Sequence, residues 1–138
     1  MEKKMGCMRA TLIATIFSLS FAFGVAYSQD QLWISETGKY QLSYISELNP
    51  VPINQMHSWI MHIETVNGEP LEGASITVEG GMPEHDHGLP TTPRMTEELG
   101  AGDYRIEGMR FHMNGIWEIT TTITTGNNRD VCIIPIEL

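Results

Sequence analysis

The stretch Met82-Pro83-Glu84-His85-Asp86-His87-Gly88 holds two histidines two residues apart, a methionine and two acids. Further along, Phe111-His112-Met113-Asn114-Gly115 pairs an imidazole with a thioether again. These two donor types together suit copper, and Cu(I) in particular, in a compartment where thiols do not stay reduced. Met82, His85, His87, His112 and Met113 are therefore the candidate ligands of a copper ion. Glu84 and Asp86 are hard donors, better placed to orient the imidazoles or to raise the local cation concentration. A thioether has no proton to lose, whereas an imidazole binds only when neutral.

Each piece also has a plainer reading. Met113 shares a strand phase with Phe111 and would fill core space as methionine often does. His112 has the opposite phase and would then be exposed. Met61 and Met109 read as core. Met56-His57 and Met61-His62 repeat the pairing of thioether and imidazole, but His57 and His62 are an odd number of residues apart and face opposite ways in a regular strand.

Other chemistries lack their residues. Cys132 is followed by Ile133-Ile134-Pro135-Ile136-Glu137-Leu138, so the closely spaced histidine and methionine of a blue-copper centre are missing. Cys132 reads as a small core residue. No Gly-x-Ser-x-Gly, Walker, His-Glu-x-x-His or Cys-x-x-Cys pattern occurs. Glu84 and Asp86, neighbours on one loop, lack the fixed separation that a carboxylate-pair hydrolase needs. Catalysis is not expected.

The elements that must carry these residues are short. Segments rich in Thr, Ile, Val, Tyr and Trp are broken by Gly and Pro at intervals typical of an all-β sandwich. Strands are expected at Lys39–Ser46, Ser58–Thr65, Ala74–Glu79, Asp103–Phe111, Ile116–Thr125 and Asp130–Glu137. Alternation assigns Trp59, Met61 and Ile63 to one buried face, and Trp117, Ile119, Thr121 and Ile123 to another. Tyr104 and Ile106 point inward, and Gly108 marks a bulge before Met109 and Phe111. Asn67-Gly68 predicts a tight hairpin between the second and third strands, and Gly126-Asn127-Asn128 another between the last two. Between Gly80 and Gly102 no strand is predicted, with at most one helical turn at Thr96–Leu99. So long a loop in a small domain is usually functional or disordered.

Residues 1–28 read as a signal peptide: Lys3, Lys4 and Arg9 precede the uncharged apolar run Ala10–Ala26, and Ala26-Tyr27-Ser28 offers small residues for cleavage before Gln29. The run is shorter than the roughly 20 residues of a membrane span. Export to a periplasm or outer surface follows, with membrane attachment only if the segment is retained. Residues 29–138 then form one domain. Cys7 leaves with the leader, so Cys132 has no intrachain partner.

The chain carries a net charge of −9, and losing Glu2, Lys3, Lys4 and Arg9 makes the remainder more acidic. Lys39, Arg94, Arg105, Arg110 and Arg129 are scattered, which argues against nucleic acid or anionic lipid as partner.

Gly81-Met82-Pro83-Glu84-His85-Asp86-His87-Gly88, Gly102-Asp103-Tyr104 and Phe111-His112-Met113-Asn114-Gly115-Ile116-Trp117-Glu118 together resemble the YtkA-like domain, grouped with FixH-like proteins. The resemblance runs from about Lys39 to Leu138. It implies a small exported or membrane-tethered immunoglobulin-like antiparallel β-sandwich, and for FixH-type members a link to assembly of copper-containing oxidases. This chain departs from the FixH pattern in that its apolar span looks cleavable.

The expectation is an exported copper-binding domain that delivers or sequesters the ion, with a copper-accepting protein as partner. The alternatives are a metal-free interaction module, in which the histidines are solvated and the long loop and Trp117 turn contact a protein, or an accessory subunit of a membrane complex.

Overall fold

Alternating apolar and polar residues build nine strands in the computed structural model, which describes residues 31–138. These are β1 (Trp33–Ile34), β2 (Tyr40–Ser46), β3 (His57–Thr65), β4 (Ser75–Met82), β5 (His87–Gly88), β6 (Arg94–Gly100), β7 (Asp103–Met109), β8 (Ile116–Thr125) and β9 (Asn128–Glu137). They form two antiparallel sheets, ordered β1-β2-β3-β7-β6 and β5-β4-β8-β9. The architecture is the expected immunoglobulin-like β-sandwich. The leader assigned to residues 1–28 lies outside the described residues, and among those described no helix is long and apolar enough to cross a membrane.

The faces follow the alternation. Trp59, Met61, Ile63, Tyr104 and Ile106 of the first sheet are fully buried, as are Trp117, Ile119, Thr121 and Ile134 of the second. Burying a large apolar side chain contributes about 1.5–3 kcal/mol, so these two inner faces hold the domain together without a disulfide. Cys132 is buried and free. Thr121 is the polar intruder, and its hydroxyl donates to Sδ of Met61 across the sandwich at 3.9 Å, a weak acceptor but the one at hand. The Tyr104 hydroxyl donates to the Leu71 carbonyl at 2.8 Å and accepts from the Ala74 amide at 3.3 Å, tying the β3–β4 crossover to β7. Gly108, at φ +85°, sits where β7 spends an extra residue between the partners of His57 and Trp59. That is the expected bulge, and it keeps Met109 and Phe111 inward.

At one edge, the turn after β1 is fastened to β9. The Glu36 amide donates to the Val131 carbonyl at 2.8 Å. Asp130 accepts from the Thr37 amide and hydroxyl at 3.2 and 2.5 Å, and from the Val131 amide at 2.9 Å.

Three local expectations need correction. The long loop from Gly80 to Gly102 does not exist: β4 continues to Met82, β5 returns beside it, and β6 replaces the turn expected at Thr96–Leu99. β6 escapes periodicity because it is an exposed edge strand with Met95 and Gly100 alone half-buried, and its register against β7 shifts twice. Asn67-Gly68 does reverse the chain, with the Gly68 amide donating to the Thr65 carbonyl at 2.8 Å, and Pro70 bridges Glu64. The chain then crosses to the second sheet, so β3 and β4 form no hairpin. Gly126-Asn127-Asn128 does connect a hairpin, with Thr125 opposite Asn128.

A candidate metal site at one end of the sandwich

Antiparallel pairing of β4 with β8 sets Gly81 opposite Glu118. The end of β4 therefore lies beside the start of β8, and the turn 83–86 meets the crossover 110–115 at one end of the sandwich. Residues some 25 apart in sequence come together this way.

The turn is tight. The amides of His85 and Asp86 donate to the Met82 carbonyl at 3.0 and 3.1 Å, and Asp86 closes it at φ +52°, a conformation Asp tolerates better than most residues. His87 is then the β-partner of Met82, and directly opposed residues share a face. Met82 is buried, so His87 stands over the mouth of the core, not free in a loop.

The 110–115 crossover is held at both ends. The Trp117 indole donates to the Met113 carbonyl at 3.1 Å, and Gly115 exchanges backbone hydrogen bonds with Leu138 at 2.9 and 3.1 Å. Gly115 has φ +134°, and a Cβ there would stand 2.5 Å from the Met82 methyl. The thioether occupies the space that a side chain would take.

Three imidazoles result in sequence. The His85 and His87 ring centroids are 5.8 Å apart at 16°, and those of His87 and His112 are 4.9 Å apart at 47°. Two imidazoles bonded to one ion at about 2.0 Å have centroids about 5 Å apart at a tetrahedral angle. His87 and His112 are at that separation, with their planes inclined. His85 is near-parallel to His87 and must rotate to join them, which its exposure permits. Among the described residues, no three His, Cys, Asp or Glu side chains stand ready to hold a metal ion. Any site here is a histidine pair completed by a thioether or by movement of His85.

His112 carries the second clue. Its Nδ1 is buried with no hydrogen-bond partner, and leaving such an atom unsatisfied costs about 1–3 kcal/mol. Trp33 Nε1 and Arg110 Nε are also unpartnered, but neither belongs to a residue of this imidazole group.

Of the five residues expected as ligands, His85, His87 and His112 come together, and Met82 is the cross-strand partner of His87. Met113 is half-buried against the core. An open cleft of about 370 Å³, lined by Met82, Asp86, His87 and Glu118 among others, borders His87. The other imidazole–thioether pairings are structural. His57 is buried, its Nε2 accepting from Trp59 Nε1 at 3.1 Å and its Nδ1 facing the Gln55 carbonyl at 3.1 Å. His62 pairs with Asp103 through Nδ1 at 2.6 Å.

Read from sequence, the Trp117 turn pairs with the histidine loop as a protein-contact surface, and Trp117 takes no part in a metal site. Its ring centroid is 5.3 Å from that of His112 and 6.3 Å from that of His87, and it is fully buried. Its place five residues after His112 was the available sign.

Among curated proteins, none matches the chain in sequence. Among solved structures it is similar to a DUF4426 family protein from Pseudomonas aeruginosa, with a TM-score of 0.54 and 15% identity, covering 79% of this chain and 96% of that one. At that identity the likeness speaks to the fold. The YtkA-like family matches residues 34–122, most of the chain and all the residues that form this site. The chain belongs to the YtkA-like family.

Proposed function

We propose that this domain binds a copper ion at the His87–His112 pair, with Met82 beneath and His85 or Met113 completing the coordination, and that it delivers or sequesters the ion without catalysis. The observation that carries this reading is the pair itself. Two imidazoles from separate chain segments have ring centroids 4.9 Å apart, one of them is the strand partner of the buried Met82, and the other has a buried nitrogen without a partner. Few, soft ligands favour Cu(I) and exchange readily, which suits transfer to an accepting protein. His85, exposed on the turn, is the ligand best placed to leave first. The work would be done outside the cytoplasm, where thioether and imidazole replace thiolate.

Competition of purified protein with a chromophoric Cu(I) chelator tests the reading, alongside His87→Ala, His112→Ala and Met82→Leu. One tight equivalent is expected, lost in either histidine variant and weakened in Met82→Leu, which conserves volume. Failure of the folded wild type to compete would sink the copper reading. The metal-free interaction module would then be the one to pursue, with the half-exposed Ile116 beside the site as a starting point.

A further inference from the structure

The floor beneath the two imidazoles is built almost entirely of apolar groups. Met82, Phe111 and Trp117 are all buried. An ion held by His87 and His112 has water available on the cleft side and none on the inner side. What it meets inward, besides the thioether, is the indole of Trp117. We propose that Trp117 is a specificity-determining member of this site, its ring acting as a cation–π surface that favours a monovalent soft ion over Cu(II) or Zn(II). This rests on the copper reading above and adds the oxidation state to it.

Distances allow the contact. An ion bonded to an imidazole nitrogen lies about 3 Å from that ring's centroid. With the Trp117 centroid 5.3 and 6.3 Å from those of His112 and His87, an ion on the inward side of the pair falls within the ~6 Å reach of a cation–π interaction. The indole is not free to turn away. Its Nε1–H is committed to the Met113 carbonyl, and its body packs edge-on against Phe111, centroids 5.3 Å apart at 72°.

Charge decides which ion gains. Desolvation cost rises with the square of the charge, so a divalent ion loses far more than a monovalent one by giving up water on one side. Cu(II) also seeks four nitrogen or oxygen donors in a tetragonal array, and the inner hemisphere offers one sulfur and aromatic rings. Cu(I) is satisfied by two or three soft donors and gains from the ring. Trp117 also fixes the loop that carries His112, so its role as ring donor must be separated from its role in positioning.

Two measurements do this. In wild type, the indole N–H resonances of the three tryptophans are followed by NMR during titration with Ag(I), a redox-inert substitute for Cu(I), and separately with Zn(II). A large shift at Trp117 alone, accompanied by fluorescence quenching with Ag(I) and not with Zn(II), is expected. In parallel, Trp117→Phe and Trp117→Leu are compared for Cu(I), Cu(II) and Zn(II) affinity, with folding followed by thermal melts. Cu(I) affinity should fall roughly five- to thirtyfold in Trp117→Leu and less in Trp117→Phe, which keeps a weaker ring face. Affinity for the divalent ions should fall only by the smaller, equal factor that both variants incur by losing the Nε1–H donor to Met113.

Equal losses for all ions in a folded variant would make Trp117 a packing residue and overturn the inference while leaving the copper reading intact. Should neither variant fold, an Ag(I) titration that leaves the wild-type Trp117 resonance unmoved overturns it as well. No binding of any ion by wild type would remove both proposals.

Discussion

The methyl of Met82 occupies the space that a Cβ on Gly115 would fill, 2.5 Å from that position. The glycine thereby ties the crossover carrying His112 to the thioether under His87. Gly115→Ala meets two obstacles: a φ of +134° that is essentially restricted to glycine, and the displaced methyl. We expect a loss of about 1–3 kcal/mol in urea denaturation. If the copper reading holds, Cu(I) affinity falls further in this variant than in an equally destabilised one remote from the site.

His57 and Trp59 make a second fixed pair. With Nε2 accepting from the indole and Nδ1 facing a carbonyl, the imidazole is held as the neutral Nδ1–H tautomer. Long-range nitrogen–proton NMR spectra should show that tautomer. His57→Phe strands a buried indole N–H and should cost about 1–3 kcal/mol. Its copper stoichiometry should match wild type, because His57 is not a ligand in this reading.

Asp130 sets the acid limb of stability. Burial pushes its carboxyl up, but the hydroxyls of Thr37 and Ser35 and the amides of Thr37 and Val131 outweigh that and hold it below the ordinary value. A carboxyl lowered by folding contributes stability in full above its unfolded value of about 3.9 and loses it as pH falls through the folded one. Urea midpoints measured from pH 7 down to 3 should therefore fall more steeply for wild type than for Asp130→Asn. At neutral pH the variant should be less stable by about 1–3 kcal/mol.

Cys132 lies near that carboxylate. Burial, and then the charge of Asp130, push its thiol up to about 11. Since the thiolate is the reactive form, a chromogenic disulfide reagent at pH 8 should leave Cys132 unmodified in the native protein and label it fully in urea. Rapid labelling of Cys132 in the native state would contradict its burial. Cys132→Ala should retain its copper affinity.

Where burial alternates, the sequence carries the fold. Trp117, Ile119, Thr121 and Ile123 define β8 with its bounds correct, and Cys132, Ile134 and Ile136 define the inner face of β9. β6 is illegible because Arg94, Glu97 and Glu98 leave it no apolar face, and strand identity there comes from hydrogen bonds to β7. The histidines announce themselves by type. Their meeting does not, since it depends on Met82 pairing with His87 and Gly81 with Glu118, and register lies in tertiary structure. The nearness of Trp117 to the histidines is hidden for a related reason: a residue that fits the core pattern so well gives no hint that its ring also borders the imidazoles.

The staple between the first turn and β9 also governs what this chain does to its neighbours. Strand edges with free amides are templates on which other chains can add. Along β9, the Val131 amide is engaged by Asp130 and its carbonyl by Glu36, and Pro135 has no amide hydrogen to give. In the other sheet, the edge strand β6 is acidic and twice out of register. Loosening the staple would reopen β9 to templated addition. Acid, by protonating Asp130, is therefore expected to promote self-assembly through that edge before it unfolds the sandwich as a whole.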